Sequence, residues 1–178
     1  DDNDNDDDDD GILLTLSTHD IRNDAGDTAW HQSHVRNGYA VAGYWPLEIR
    51  SSSSSETALY SIELRRWPKS TDYKLTDGID GDDSGWRKDC IQKKYAHLYE
   101  GGKALDLKWA HVEIAGRSFY RQIMDPDATS VVLENVELPP GKTRLFAGFY
   151  EKRPFGDNQT IAPYYIYIRK MKRRRGGR

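Results

Sequence analysis

The stretch ALYSIELRRW, residues 58–67, decides the fold class of this chain. Its apolar side chains recur at every second position, and this period of two is typical of a β-strand that buries one face. One side is formed by Tyr60, Ile62 and Leu64, and the other by Glu63 and Arg65. Pro68 follows and ends the strand, because proline has no backbone N–H to donate to a neighbouring strand.

Further strands are expected on both sides of this one, because short apolar or alternating runs are separated by glycine and proline turns. They cover residues 12–17, 39–50, 104–114, 118–124, 129–138, 143–150 and 161–170. Pro46 predicts an edge or a bulge, a change of phase predicts a bulge near Trp109, and residues 89–98 predict one short helix. The predicted fold class is mostly all-β, an antiparallel β-sandwich of about seven to eight strands.

The charges of the chain are concentrated at its two ends. Residues 1–10 contain eight aspartates, residues 169–178 contain seven lysines or arginines, and 21 acidic and 19 basic residues remain between them. A near-neutral core argues against a nucleic-acid-binding protein, and no apolar run approaches the roughly 20 residues of a membrane span. We therefore divide the chain into an acidic extension (1–11), a β-sandwich module (12–170) and a basic tail (171–178).

The sequence offers little for nucleophilic catalysis. Cys90 is the single cysteine, so neither an intramolecular disulfide nor a multi-cysteine metal site is expected. Cys90 is followed by Ile-Gln-Lys-Lys rather than by a glycine-rich turn that activates a nucleophile, and no Gly-x-Ser-x-Gly motif is present. We therefore expect no enzyme. The chain begins at Asp1 without a signal peptide, so we expect a processed chain or an excerpt.

Two sets of aspartates have the spacing that opens an EF-type calcium loop. They are Asp6, Asp8 and Asp10 in the acidic extension, and Asp80 and Asp82 farther along. Neither set has the closing glutamate, because Ser17 and Ile91 occupy those positions. Calcium is one alternative at both places. For the acidic extension, the alternatives to calcium are that it is solvated or that it pairs with the basic tail of another copy. For Asp80 and Asp82, the alternative is a solvated turn.

Aromatic, histidine and arginine residues suggest a site for carbohydrate or an anion. The candidates are Trp30, His31, His34, Arg65 and Trp67. His31 and His34 could also bind a metal together with His19 or Asp20, and surface histidines are the alternative. One of the two arginines before Trp67 could hold a sulfate, carboxylate or phosphate. The alternative is an arginine that stacks on Trp67 and pairs with Glu63 or Glu48. Asn158 opens an Asn-x-Thr glycosylation sequence.

Three blocks of the sequence, together covering about residues 12–170, resemble the C-terminal region of bacterial formylglycine-dependent arylsulfatases. The first is LSTHDIRNDAGDTAWHQSHVRNGYAVAGYW (16–45), and the second is YSIELRRWP (60–68). The third runs from GKALDLKWAHVEIAG (102–116) through VVLENVELPPGKTRLFAGFY (131–150) to APYYIYIRK (162–170). The family's Cys-x-Pro-Ser-Arg or Cys-x-Ala-x-Arg nucleophile motif is absent, since Cys90 does not match it. The resemblance therefore implies no catalytic residue here.

The resemblance implies a non-catalytic accessory module of an exported, extracellular or periplasmic, sulfatase-like protein. Such a module would bind carbohydrate or a sulfated polysaccharide, or serve as a scaffold. One alternative is a self-assembling subunit of an extracellular filament, in which residues 12–17 are exchanged between copies and the oppositely charged ends attract each other. A further alternative is a fragment of an arylsulfatase.

Overall fold

The computed structural model of the protein describes residues 12–24, 38, 43–50, 57–80, 102–152 and 160–171. Its strands are β1 (Ile12–Ser17), β2 (Trp45–Ile49), β3 (Ala58–Arg65), β4 (Trp109–Ile114), β5 (Arg117–Gln122), β6 (Val131–Leu138), β7 (Gly141–Tyr150) and β8 (Tyr165–Lys170). A short 3-10 helix, Thr18–Asp20, follows β1. The helix predicted at residues 89–98 lies outside the described residues. Among the described residues, no helix has the length and apolar character needed to cross a membrane.

The strands form two antiparallel sheets of four strands each, which confirms the predicted β-sandwich. The first sheet has the order β1-β8-β3-β6, and the second has the order β2-β7-β4-β5. The stretch that decided the fold class, β3, is an interior strand that pairs with both β6 and β8. Pro46 lies on β2, an edge strand of the second sheet, where the missing N–H of proline costs least.

One hydrophobic core fills the space between the two sheets. Side chains at 0 % exposure come from both of them: Ile62, Leu64 and Ile166 from the first, and Val112, Ile114, Leu145 and Phe149 from the second. Each fully buried side chain of this size contributes about 1.5–3 kcal/mol relative to an exposed one. The alternation along each strand therefore assigns one phase to the core and leaves the other phase on an outer surface.

A bulge does interrupt the alternation, but on β6 rather than near Trp109. The register between β3 and β6 shifts between Tyr60 and Ile62, where Asn135 has a φ of 58°. Asparagine tolerates this left-handed conformation better than most residues. Because of the shift, Val136 returns to the core after two exposed positions.

The bulge predicted near Trp109 is wrong. The register of β4 with both β5 and β7 is continuous from Trp109 to Ile114. The change of phase arises because residues 103–108 precede the strand, and Leu105 and Leu107 reach the core from irregular backbone.

Candidate functional site

Arg65 and Trp67, both predicted as ligand-binding residues, are largely buried. Arg65 is 7 % exposed, and its Nη1 lies 3.1 Å from Oε1 of Glu63, whose Oε2 lies 3.9 Å from Nη2 of Arg169. Trp67 is 5 % exposed, and its ring centroid lies 6.0 Å from that of Tyr73. Burial on this scale gives a sugar ring little access to Trp67.

Arg66, between these two residues, connects separate loops. It is 1 % exposed, and its guanidinium lies 4.6 Å from the centroid of the Trp67 ring. Its Nη1 donates to the carbonyl oxygens of Leu75 (3.2 Å) and Asp77 (2.8 Å), and its Nη2 donates to that of Lys103. Burial lowers the pKa of Arg66 to about 10, although Asp77 acts in the opposite direction. The guanidinium is therefore still charged at neutral pH, and its contacts are those of a structural residue.

The predicted metal sites gain no support from the residues that the structure describes. Asp20 is part of a capping box, since its carboxylate accepts hydrogen bonds from the backbone N–H (2.8 Å) and the hydroxyl (3.1 Å) of Ser17. Asp80 is exposed, and the described ranges contain no group of three His, Cys, Asp or Glu side chains placed to hold a metal. The remaining predicted site residues lie outside the described residues: Trp30, His31, His34, Asp6, Asp8, Asp10, Asp82 and Asn158.

A set of aromatic side chains instead lies on the outer surface of the second sheet, and we call this surface the aromatic face. Its members, which alternate with core residues along their strands, are Trp109, His111, Tyr120, Phe146 and Tyr150, with Tyr44 next to β2. Tyr120 is 44 % exposed and Phe146 is 36 % exposed. These exposed fractions exceed that of Trp67 several-fold, so the aromatic face is open to a ligand.

Cross-strand pairing places the rings of the aromatic face next to one another. His111 on β4 is opposite Tyr120 on β5, and their rings are parallel to within 8° with centroids 4.4 Å apart. Trp109 is opposite Tyr150 on β7, whose ring centroid is 6.5 Å from that of His111. On the β2 side, the centroid of Phe146 is 5.7 Å from that of Tyr44. The rings therefore come from β5, β4 and β7, and from Tyr44 immediately before β2.

A glycine at the centre of the aromatic face makes room for a threonine. Gly148 lies opposite His111, and a Cβ at this position would overlap with the methyl carbon of Thr160. The bridge between Phe149 and Ile161 holds Thr160 there, and its hydroxyl donates to the hydroxyl of Tyr150 at 3.1 Å. Thr160 thus closes the gap between the rings with a small side chain.

The charges of this surface are unevenly distributed. Toward β2, the cations lie beside carboxylates: Arg144 is 3.1 Å from Asp24, Arg50 is 3.3 Å from Glu48, and Lys142 is opposite Glu48 in the register.

Within the rings, burial lowers the pKa of His111 below 6.5, although the Glu113 carboxylate acts in the opposite direction. The imidazole is therefore mostly neutral at pH 7. Glu113 is exposed and lies between Ser118 and Phe146 in the register.

The aromatic face was not among the features predicted from the sequence, although the sequence contains a signal for it. Trp109, His111 and Glu113 share the phase opposite to that of Ala110, Val112 and Ile114. A tryptophan and a histidine in the solvent-facing phase of a strand indicate an outer surface with a role other than packing. Assigning Trp109 to the phase of Leu105 and Leu107 concealed this pattern.

The comparisons with known proteins name no relative of this chain. No model of a known protein family matches the sequence, and no curated protein matches it either. The resemblance to the sulfatase C-terminal region therefore stays a prediction from the motifs.

Proposed function

We propose that the protein is a non-catalytic carbohydrate-binding module that holds sugar chains on the aromatic face. The observation that carries the proposal is the exposure of Tyr120 and Phe146, 44 % and 36 %, on a sheet surface that also carries His111, Tyr150 and Trp109. The exposed parts of these rings present an apolar surface to the weakly positive C–H groups on the flat side of a sugar ring, whereas the ring face of Tyr120 that lies against His111 is covered. An apolar surface of this kind on a folded protein marks an interaction site.

The geometry of the sheet suits a chain of sugars. Neighbouring strands lie about 4.8 Å apart, a length similar to that of one sugar unit in a polysaccharide. In the row of His111, a chain lying across the strands would meet Tyr120 and His111, and then Thr160 over Gly148 in place of a third ring. Because the rings are supported by paired strands, they lose little conformational freedom when a ligand binds.

Polar side chains between the rings would fix the orientation of the sugars. Gln122 pairs with Trp109, and Ser118 pairs with Glu113, so amide, hydroxyl and carboxylate groups flank the aromatic surface. These groups both donate and accept hydrogen bonds, as sugar hydroxyls require. The exported, sulfatase-like context of the module stays a prediction from the sequence.

Isothermal titration against a panel of neutral and sulfated polysaccharides tests the proposal. Tyr120→Ala should weaken binding about tenfold, since a ring contact contributes about 0.5–1.5 kcal/mol and the apolar area buried on the ring adds to it. Tyr73→Ala is the matched control, because Tyr73 is 39 % exposed but lies off the aromatic face. Binding that is unaffected by Tyr120→Ala, or an absence of heat with every polysaccharide, would count against the module.

A second candidate, self-assembly by exchange of β1, is favoured by the position of that strand. Among the strands that the structure describes, β1 is the first, lies at the edge of its sheet and pairs only with β8. A terminal edge strand can be replaced by the same strand of another copy at low cost.

Thr15→Cys and Tyr167→Cys, combined with Cys90→Ser, test the exchange of β1 between copies, because Thr15 and Tyr167 are opposite each other in the register. Oxidation should give covalent dimers if β1 is exchanged, whereas an intrachain bridge in a monomer contradicts it.

A further inference from the structure

We infer that Glu113 makes the aromatic face select neutral sugar chains and reject sulfated or uronic ones. The inference rests on the proposed function and names the ligand class of that site. Trp109, His111 and Glu113 on β4 each form a row with the outer residues opposite them on β5 and β7. These three rows contain one carboxylate, that of Glu113. The described residues of these rows include no lysine or arginine.

Glu113 has no ion pair with any described residue, and its side chain is exposed. Its charge is also felt by the ring stack, because it raises the pKa of His111 against the effect of burial. A sulfate or carboxylate on a sugar stacked over Phe146 or His111 would therefore approach an uncompensated negative charge.

Two cations on the β2 side of this surface, Arg144 and Arg50, already have a carboxylate partner. Arg144 is half-exposed, lies 4.1 Å from the centroid of the Tyr44 ring and is bound to Asp24. Arg50 is bound to Glu48. To bind an anionic sugar, either cation would have to leave its carboxylate, so the pairing reduces the attraction that it can offer. With Lys142 included, the β2 end holds three cations and two carboxylates, so most of its positive charge is already compensated.

The same carboxylate favours neutral sugars directly. A carboxylate only accepts hydrogen bonds, and its two oxygens can accept from two adjacent hydroxyls of one sugar. Replacing one of those hydroxyls by sulfate removes a donor and adds a negative charge. A single like-charge contact at a solvent-exposed site lowers affinity by roughly fivefold, and the effect weakens with salt.

Backbone-matched polysaccharides provide the test: dextran against dextran sulfate, and laminarin against sulfated laminarin. The wild-type protein should bind the neutral member of a pair at least fivefold more tightly, and high salt should reduce the difference. Glu113→Gln keeps the shape and removes the charge, so the difference should shrink by about fivefold. Glu134→Gln is the control, because Glu134 is exposed on β6 in the other sheet.

Each outcome decides a different claim. A preference for the sulfated member, or a ratio that Glu113→Gln does not change, overturns the selection by charge while the carbohydrate-binding module stands. Binding of no polysaccharide, or binding that Tyr120→Ala leaves unchanged, overturns the proposed function and this inference with it. If Glu113→Gln lowers the affinity for both members of a pair and also lowers the ratio of neutral to sulfated affinity, the carboxylate both accepts hydrogen bonds from sugar hydroxyls and repels sulfate.

Discussion

Replacing Arg66 by methionine should destabilise the protein strongly, even though an arginine in this position first suggested a ligand site. Methionine fills a similar volume and keeps the contact with Trp67, but it cannot donate hydrogen bonds. The carbonyl oxygens of Leu75, Asp77 and Lys103 would each lose a charged donor. These oxygens belong to two separate segments, residues 75–77 and 103, so the loss affects the connection between them.

The magnitude follows from these three contacts. A hydrogen bond from a charged donor contributes about 1.5–3 kcal/mol, which sets an upper limit when three are added. The three bonds share one guanidinium, however, and burial opposes its charge, as the lowered pKa of Arg66 shows. Water can also reach part of the freed carbonyls. We therefore expect Arg66→Met to lower the free energy of unfolding by about 3–5 kcal/mol.

Urea unfolding monitored by tryptophan fluorescence measures this loss. Arg117→Met is the control, because the Arg117 side chain is 54 % exposed, and it should change stability by less than about 0.5 kcal/mol. Arg65→Met should cause a loss of unfolding free energy between those of the two other variants, since Glu63 would keep Arg169 as a partner at 3.9 Å. A loss of less than about 1 kcal/mol in Arg66→Met would refute the assignment of a structural role to this guanidinium.

Three further predictions concern the second sheet. Gly148→Ala should cost about 1–3 kcal/mol in urea unfolding, because its Cβ overlaps with the methyl of Thr160, and adding Thr160→Ser should restore part of the loss. Burial lowers the pKa of His111 in the folded protein below 6.5, so the unfolded chain binds more protons between that pKa and 6.5. The free energy of unfolding should therefore fall as the pH drops through this range. His111→Phe should weaken this pH dependence between pH 5 and 7. Ala115 has a φ of 51° in the β4–β5 turn, so Ala115→Asn should raise the free energy of unfolding by about 1 kcal/mol, and an unchanged urea midpoint would contradict the strain.

The sequence predicted the sandwich well because strands leave a local signature. The alternation of Tyr60, Ile62 and Leu64 with charged residues identifies a half-buried strand without knowledge of its neighbours, and Pro46 identified an edge for an equally local reason. Pairing partners leave no such signature. Nothing in the local pattern shows that β3 pairs with β8, about a hundred residues later, or that a bulge at Asn135 keeps Val136 in the core.

The candidate site was predicted less well, for a related reason. Arg65 and Trp67 are adjacent in the sequence, so their chemistry is visible there, but burial decides whether they can act, and burial depends on the whole fold. The rings of the aromatic face come from strands far apart in the chain. Their proximity exists only after β4, β5 and β7 have paired.

By itself, then, the sequence determined that the chain forms antiparallel strands with one apolar side each, since period and turn residues are properties of neighbouring positions. It also determined that acidic and basic residues are concentrated at opposite ends. Only the tertiary structure decided that Arg66 binds carbonyl oxygens and that Tyr120 stacks on His111 beside Glu113. Exposure, ring stacking and unpaired charge are relations between distant residues, and they arise when two sheets close over a common core.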